Sequence, residues 1–253
     1  MEHTDLQIST IIAHTKGHLD KGEITEAHEV WRDFLSGVIY HEDWDKVRDY
    51  CKECIKLLPE DYIGYYVQGV ALSETGDNEQ ALSYLTKASV LNPEYERIFF
   101  TKASVEMDLE RYEDADKDCS IMLSLCTTNP GCYNLAAQVK TMLGQYKEAV
   151  EMYTHAIELK PGHAYYYIQR AADYGSNGDF DEALQDFATA EKLLENISTD
   201  DTNAMHLLNL YFARSQVKRQ MGDDAGSQEN YAHFDRLITF FSKKDGLSKP
   251  ASN

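Results

Sequence analysis

A step of 34 residues recurs along this chain and limits its fold more than any other feature. Small residues return at this step in two columns, at Ala81, Ala115, Ala149 and Ala183, and at Gly69, Ala103, Ala137 and Ala171. An aromatic column keeps the same step, at Tyr65, Phe99, Tyr133 and Tyr167. A fixed period of this kind indicates repeated supersecondary units, none of which buries its apolar face alone, so that neighbouring units stack.

The pattern within one repeat predicts a pair of antiparallel helices. In the second repeat the first helix has one face at i, i+3, i+4 and i+7: Tyr65, Gln68, Gly69 and Leu72. Gly76 permits the left-handed conformation in which many helices end, and Asp77 is a candidate N-cap of the next helix. Pro93 ends the second helix because proline cannot continue one.

The register extends in both directions from these columns. The step from Gly178 to Gly222 is 44 residues, ten more than the period, so an insertion precedes the last repeat. We therefore predict the following division: a capping region at 1–27; five repeats at 28–61, 62–95, 96–129, 130–163 and 164–197, together 28–197; an insertion at 198–207; a degenerate repeat with capping helices at 208–241; and a disordered tail at 242–253.

These columns resemble the tetratricopeptide-repeat (TPR) family. Its pattern of aromatic, small and proline positions appears here as Tyr65, Gly69, Leu72, Ala81, Leu85, Ala88 and Pro93. The resemblance implies an all-α fold, a right-handed superhelical solenoid of antiparallel helix pairs, whose concave side is lined by the first helix of each pair. Three positions depart from the pattern, since Glu110 replaces the turn glycine, the proline expected at Thr127 has moved to Pro130, and Val47 replaces an alanine.

Both ends of the array carry amphipathic segments. Residues 4–20 predict a helix that covers the first repeat with apolar side chains at Leu6, Ile8, Ile11, Ile12 and Leu19. Near the C-terminus a helical stripe comprises Tyr231, Phe234, Ile238 and Phe241. This stripe either caps the solenoid or pairs with a second molecule; we favour the cap, and therefore a monomer, because repeat arrays need capped ends.

Charge and composition exclude several partners. With 24 basic and 43 acidic residues the net charge is −19, which repels nucleic-acid phosphates and anionic lipid surfaces. No apolar run is long enough to cross a membrane, and the N-terminal residues lack the features of a secretory signal. Five cysteines without a secretory signal favour reduced thiols. We expect a cytoplasmic protein that binds neither nucleic acid nor membrane.

Candidate chemical sites have simpler interpretations. Cys51 and Cys54 form a CxxC, but both fall on core columns, so we expect buried, metal-free thiols. His14 and His18 share a helical face, with His28 and His41 further along the chain, yet no complete ligand set emerges. The sequon at 196–198 has no role in the cytoplasm. Without a phosphate-binding loop or nucleophile motif, we expect no catalytic residue, no metal and no cofactor.

The predicted partner-binding groove lies on the first helices, about 120° from their packing face. The strip comprises Ile63, Tyr66, Val70, Arg97, Phe100, Ser104, Asn134, Gln138, Tyr165 and Ile168. Some TPR proteins bind acidic chaperone C-termini through a clamp of basic and amide side chains. Only Arg97 occupies a basic clamp position here, so we do not expect that partner class.

Three functions remain open from the sequence. The leading hypothesis is an adaptor or scaffold that binds a peptide or helical segment, apolar or basic in character, in the concave groove. The alternative is a chaperone for a secreted or aggregation-prone client. The third, an enzyme or metal protein with an unrecognised site, has no residues to support it.

Overall fold

The computed structural model of the chain describes residues 2–39, 43–195 and 201–244. Every regular element within these ranges is an α-helix, so the predicted all-α fold is confirmed. The chain divides into two compact units, Met1–Thr127 and Thr128–Asn253. None of the described helices is long and apolar enough to cross a membrane.

The first unit contains seven helices in its described part. They are α1 (Glu2–Lys21), α2 (Ile24–Val38), α3 (Trp44–Leu57), α4 (Tyr62–Glu74), α5 (Asn78–Leu91), α6 (Glu96–Asp108) and α7 (Tyr112–Leu125). The helices α2 and α3, α4 and α5, and α6 and α7 form three successive pairs, and α4 also packs against α2, α3 and α6. The helix α1 packs against α2 and α3 through Ile8, Ile11, Ile12 and Leu19.

The second unit contains six helices in its described part. They are α8 (Pro130–Met142), α9 (Tyr146–Leu159), α10 (Ala164–Asn177), α11 (Phe180–Glu195), α12 (Asp201–Gln220) and α13 (Asp224–Lys244). The pairs are α8 with α9, α10 with α11, and α12 with α13, and α10 also packs against α9 and α12. The sequon at 196–198, part of the 198–207 insertion and the tail from 245 onward lie outside the described residues.

The repeated small residues allow the two helices of a pair to approach closely. Ala81, Ala115, Ala149 and Ala183 are fully buried. A Cβ atom added at Gly69 would lie 2.6 Å from the Leu85 Cγ atom, too close for two carbon atoms. The small residues that recur every 34 positions therefore lie where α4 contacts α5, and where the helices of the other pairs contact each other.

Turn residues end the first helices as the sequence predicts, with one exception. Gly76, Gly144 and Gly178 have φ of 85°, 71° and 92°. Glu110 replaces a glycine at this position and still has φ of 58°, in a turn closed by the Arg111 amide, which donates to the Glu106 carbonyl over 2.8 Å. A side chain in this left-handed conformation is strained, because Cβ crowds the backbone.

Asp77 occupies the N-cap position of α5 that the sequence predicts, but its side chain accepts no capping hydrogen bond. Asp61 does cap α4, since its Oδ1 atom accepts a hydrogen bond from the Ile63 amide over 2.8 Å. Asn129 caps α8 in the same way.

In three of the helix pairs, a polar side chain on the first helix contacts a polar side chain 16 residues later, on the second helix. Lys102 Nζ lies 2.7 Å from Asp118 Oδ2. Arg170 donates through Nε and Nη2 to the two Asp186 oxygens over 2.7 and 2.9 Å. The last pair repeats this contact with a neutral acceptor, as Arg214 Nε donates to Asn230 Oδ1 over 2.6 Å. These contacts hold polar groups within otherwise apolar helix pairs.

Candidate partner-binding surfaces

The structure places three residues of the predicted groove in the core instead. Ile63 and Tyr66 are only 3% and 8% exposed in the first unit, and Ile168 is 0% exposed in the second. The reason is that first helices pack against each other as well as against second helices: α4 contacts α2 and α6, and α10 contacts α12. A side chain that points between two first helices is therefore covered.

The other predicted residues keep accessible surface. In the first unit Arg97 is exposed, while Val70, Phe100 and Ser104 are half-buried. The Ser104 hydroxyl donates to the Phe100 carbonyl over 3.0 Å. In the second unit the half-buried members are Asn134, Gln138 and Tyr165.

A cluster of tyrosine rings lies beside the predicted strip in the first unit. The ring of Tyr95 lies 5.2 Å from that of Tyr62 and 5.5 Å from that of Tyr66, between centroids. The Arg32 guanidinium lies 5.3 Å from the centre of the Tyr62 ring, in a cation–π contact. We call Arg32, Tyr62, Tyr66 and Tyr95 the tyrosine cluster.

Asp61 fixes the position of Arg32. Its buried Oδ2 atom lies 3.0 Å from Arg32 Nη2 and 3.0 Å from His28 Nδ1. One carboxylate therefore caps α4 and holds two side chains of α2. The Arg32 side chain remains 39% exposed, so an oriented cation is presented beside the aromatic rings. Burial raises the pKa of Tyr62, which keeps its hydroxyl protonated near neutral pH.

Of these four residues, only Tyr66 belongs to the groove predicted from the sequence. Arg32, Tyr62 and Tyr95 were not predicted. The i, i+4 spacing of Tyr62 and Tyr66 was an available signal, because residues at that spacing share a helical face. The position of Asp61 directly before a helix was a second signal, since aspartate is a favoured N-cap.

A second cluster lies on the first helices of the second unit. The Tyr165 hydroxyl lies 3.0 Å from Gln138 Nε2 and 2.7 Å from Gln169 Nε2, and both amides donate to it. The ring of His206 lies 5.7 Å from that of Tyr165. We call Gln138, Tyr165, Gln169 and His206 the amide–tyrosine cluster. It joins α8, α10 and α12 through polar and aromatic contacts.

His163 lies next to this cluster. Its ring stacks on that of Tyr166 at 4.4 Å and lies 5.9 Å from that of His206. Burial lowers the pKa of His163, and the charges of Lys160 and His206 lower it further. The neutral form of the His163 ring is therefore favoured, and the ring adds aromatic area to this part of the surface.

A buried carboxyl group lies between α8 and α10. The Asp173 oxygens lie 2.9 and 3.0 Å from Thr141 Oγ1, and Asp173 is almost completely buried. Burial raises the pKa of Asp173 to about 7, although the Thr141 hydrogen bond opposes the shift. When protonated, Asp173 donates to Thr141, whose own hydrogen then reaches the Ala137 carbonyl at 3.0 Å.

A second such group occurs in the first unit. Glu106 is buried 3.6 Å from Lys102 Nζ, and the same lysine binds Asp118. Burial raises the pKa of Glu106 to about 7, and the neighbouring Asp118 carboxylate contributes to the shift. One lysine faces two buried carboxyl groups, and the Asp118 carboxylate disfavours ionisation of Glu106.

The candidate metal and redox residues are accounted for by packing and ion pairs. Cys51 and Cys54 are fully buried free cysteines, and burial raises the pKa of both thiols. His18 lies 2.7 Å from Glu23, and His14 is exposed. His41 lies outside the described residues. The described residues contain no group of three or more His, Cys, Asp or Glu side chains arranged to hold a metal ion.

Comparison with known proteins identifies the repeats. The family model described as Tetratricopeptide repeat matches residues 63–95 and 130–163, which contain the pairs α4 with α5 and α8 with α9. These two segments are similar to tetratricopeptide repeats, and the fold of the chain is that of solved TPR structures. The chain is 46% identical over 55 residues to the uncharacterized protein MJ0572 of Methanocaldococcus jannaschii. That match covers 22% of this chain and 63% of the length of MJ0572.

Solved TPR structures share the fold at low sequence identity. MamA from Desulfovibrio magneticus RS-1 is 18% identical with a TM-score of 0.62, covering 68% of this chain and 97% of MamA. YrrB is 21% identical with a TM-score of 0.58, covering 77% of this chain and 97% of YrrB. These similarities establish the fold, and a TPR fold in general supports protein–protein interaction.

Proposed function

We propose that this TPR protein is an adaptor that binds a peptide or helical segment of another protein on the first-helix surface of its first unit. The tyrosine cluster carries the proposal. It combines aromatic rings with an arginine that Asp61 holds in place, and aromatic and arginine side chains most often dominate the energy of protein interfaces.

The chemistry of this surface suits an apolar segment with a polar or anionic group near its end. Tyr62, Val70 and Phe100 are half-buried and offer apolar and aromatic area, while Arg32 and Arg97 supply the local positive charge. Tyrosine loses little side-chain entropy on binding, since the ring is rigid. The net charge of −19 favours a partner with basic residues outside the contact itself.

The amide–tyrosine cluster is the corresponding surface of the second unit. Gln138 and Tyr165 were predicted to face a ligand, and the half-buried Asn134 lies one helical turn before Gln138. Amide and hydroxyl groups of this kind bind peptide main chains through hydrogen bonds. We propose that it provides a polar contact for the same class of partner.

The fold relatives support binding in preference to catalysis. YrrB is described as a TPR protein with an unusual peptide-binding site, so the fold accommodates peptides. We propose that this chain likewise binds without catalysing a reaction. The proposed location is the cytoplasm, where the five free cysteines would stay reduced.

The proposal is tested with single alanine substitutions and an identified partner. The partner is captured from the native cell, its bound segment is synthesised, and affinity is measured by calorimetric titration. We expect Tyr62→Ala and Phe100→Ala each to weaken binding by about 1–3 kcal/mol. Tyr84→Ala is the matched control, because Tyr84 is a half-buried tyrosine on the second helix α5.

Equal affinities of the Tyr62 and Tyr84 variants would exclude the tyrosine cluster as the binding surface. Tyr66 is not used for this test, because its burial means that truncation also lowers stability. Recovery of a single abundant client, bound at equal molar amounts and prevented from aggregating, would instead favour the chaperone alternative.

A further inference from the structure

The helix α13 has an uncovered face. Within the described part of each unit, a first helix packs on the second helix that precedes it, as α4 on α3, α6 on α5, α10 on α9 and α12 on α11. The second helices α7 and α13 have no such following helix in their own unit. The helix α13 is the second helix of the last pair, and it packs against α12. No described helix follows it.

In the second helices of the earlier repeats, the residue nine positions after the turn is buried. Leu85, Cys119, Tyr153 and Phe187 occupy the same place in their second helices, nine residues after the turn position, and each is at most 1% exposed. Tyr231 occupies this place in α13, nine residues after Gly222, and is 49% exposed. The position that is buried in the earlier repeats is therefore half exposed to solvent in α13.

The uncovered face is apolar at its centre. The Phe234 ring lies 5.7 Å from that of Tyr231 and 5.5 Å from that of Phe212, and Ile238 is exposed one further turn along the helix. We call Phe212, Tyr231, Phe234 and Ile238 the terminal apolar face. A group of this kind on a helix end is an association site, because its exposure to water is unfavourable.

A cleft of about 400 Å³ borders this face, and charges of both signs line it. Its lining residues are Arg219, Ser227, Gln228, Tyr231, Ala232 and Asp235. Neither Arg219 nor Asp235 forms an ion pair with another described residue. The face therefore presents an apolar centre, a cation and an anion.

We infer that the terminal apolar face binds the same face of a second copy of this chain. A second copy supplies identical rings, and two-fold pairing sets Arg219 of one copy against Asp235 of the other. A two-fold contact requires a self-complementary surface, which unpaired charges of opposite sign provide. The proposed dimer is the alternative that the sequence left open, pairing through the C-terminal helix, in place of the monomer that it favoured.

The self-association of the full chain tests this inference. Sedimentation velocity at about 1–200 µM should show a monomer–dimer equilibrium, the range expected for a small contact. Tyr231→Ser should weaken the dimer by about tenfold or more, since it removes a central aromatic ring. Val90→Ser is the matched control, because Val90 is 72% exposed on α5 of the first unit and is not part of the terminal apolar face, and it should leave association unchanged.

Charge reversal distinguishes a two-fold contact from any other. Arg219→Asp and Asp235→Arg should each weaken the dimer, because each places like charges opposite one another. The double variant should restore association, since the pair forms again with its signs exchanged. A monomer at every concentration, equal effects of Tyr231→Ser and Val90→Ser, or failure of the double variant to recover would each overturn the inference.

Discussion

Single residues in this protein occupy conformations and environments that usually favour another residue type. Glu110 has φ of 58° where the equivalent turns contain glycine, and Asp173 is a carboxylic acid in an almost completely buried position. The surrounding structure imposes the left-handed backbone conformation on Glu110 and the burial on Asp173. Each therefore has a measurable effect on stability.

Replacement of Glu110 by glycine should stabilise the first unit. The left-handed conformation costs a non-glycine residue about 1–2 kcal/mol, and the greater flexibility of unfolded glycine offsets part of the gain. We expect the free energy of unfolding to rise by about 0.5–1 kcal/mol in urea titrations. Glu151→Gly, at an exposed position inside α9, should instead destabilise by about 0.5–1 kcal/mol. A loss of stability in Glu110→Gly would mean that the turn does not strain this side chain.

Asp173 should make stability depend on pH in the opposite sense to an ordinary salt-bridged carboxylate. Its pKa of about 7 lies above the unfolded value of 3.8, so the folded state holds a proton that the unfolded state releases. Stability is then greatest below about pH 4 for this group and is lost as pH rises through 7. Asp173→Asn removes this titration and should be more stable than the parent at pH 8, by on the order of 1 kcal/mol.

The Asp173 prediction is checked by thermal and urea melts at pH 5 and pH 8. Glu106 also has a pKa of about 7 and remains in both proteins, so the quantity to compare is the difference between their two pH responses. Identical responses would show that Asp173 stays ionised at both pH values, with Thr141 sufficient to stabilise its charge.

Helices in this protein are joined by polar contacts as well as by apolar columns. The pairs Lys102 with Asp118 and Arg170 with Asp186 connect the first and second helices of their repeats over the same spacing. Arg170 also donates to Thr154 on α9, over 2.9 Å, so it links three helices of the second unit. The 34-residue columns of small residues do not reveal these contacts, because the participating residue types vary between repeats.

Removal of Arg170 should cost far more stability than removal of a surface cation. Arg170→Ala leaves the buried Asp186 carboxylate without its two donors, and we expect a loss of about 3–5 kcal/mol. Lys117→Ala is the control, since Lys117 and Asp114 form an exposed pair that solvent screens, so its loss should change stability far less. Comparable losses in chemical denaturation would show that the Arg170 contact contributes no more than an exposed pair.

For the whole molecule, the sequence predicted the fold better than it predicted the binding surface. The period of 34 residues requires only that equivalent positions repeat, and the burial of Ala81 and Ala149 follows directly from it. Placing Ile63, Tyr66 and Ile168 required the packing between neighbouring first helices, which one helical wheel does not contain. The tyrosine cluster was missed for the same reason, because it depends on contacts among residues of different repeats.

The double role of Asp61 links local folding to ligand binding. Its carboxylate accepts the Ile63 amide at the start of α4 and also holds Arg32. A ligand that binds the oriented guanidinium therefore favours the conformation in which α4 is capped, and by thermodynamic reciprocity a well-formed cap favours the ligand. Amide hydrogen exchange in the first turn of α4 would consequently slow on binding, so that occupancy could be followed from the backbone without a label on the partner.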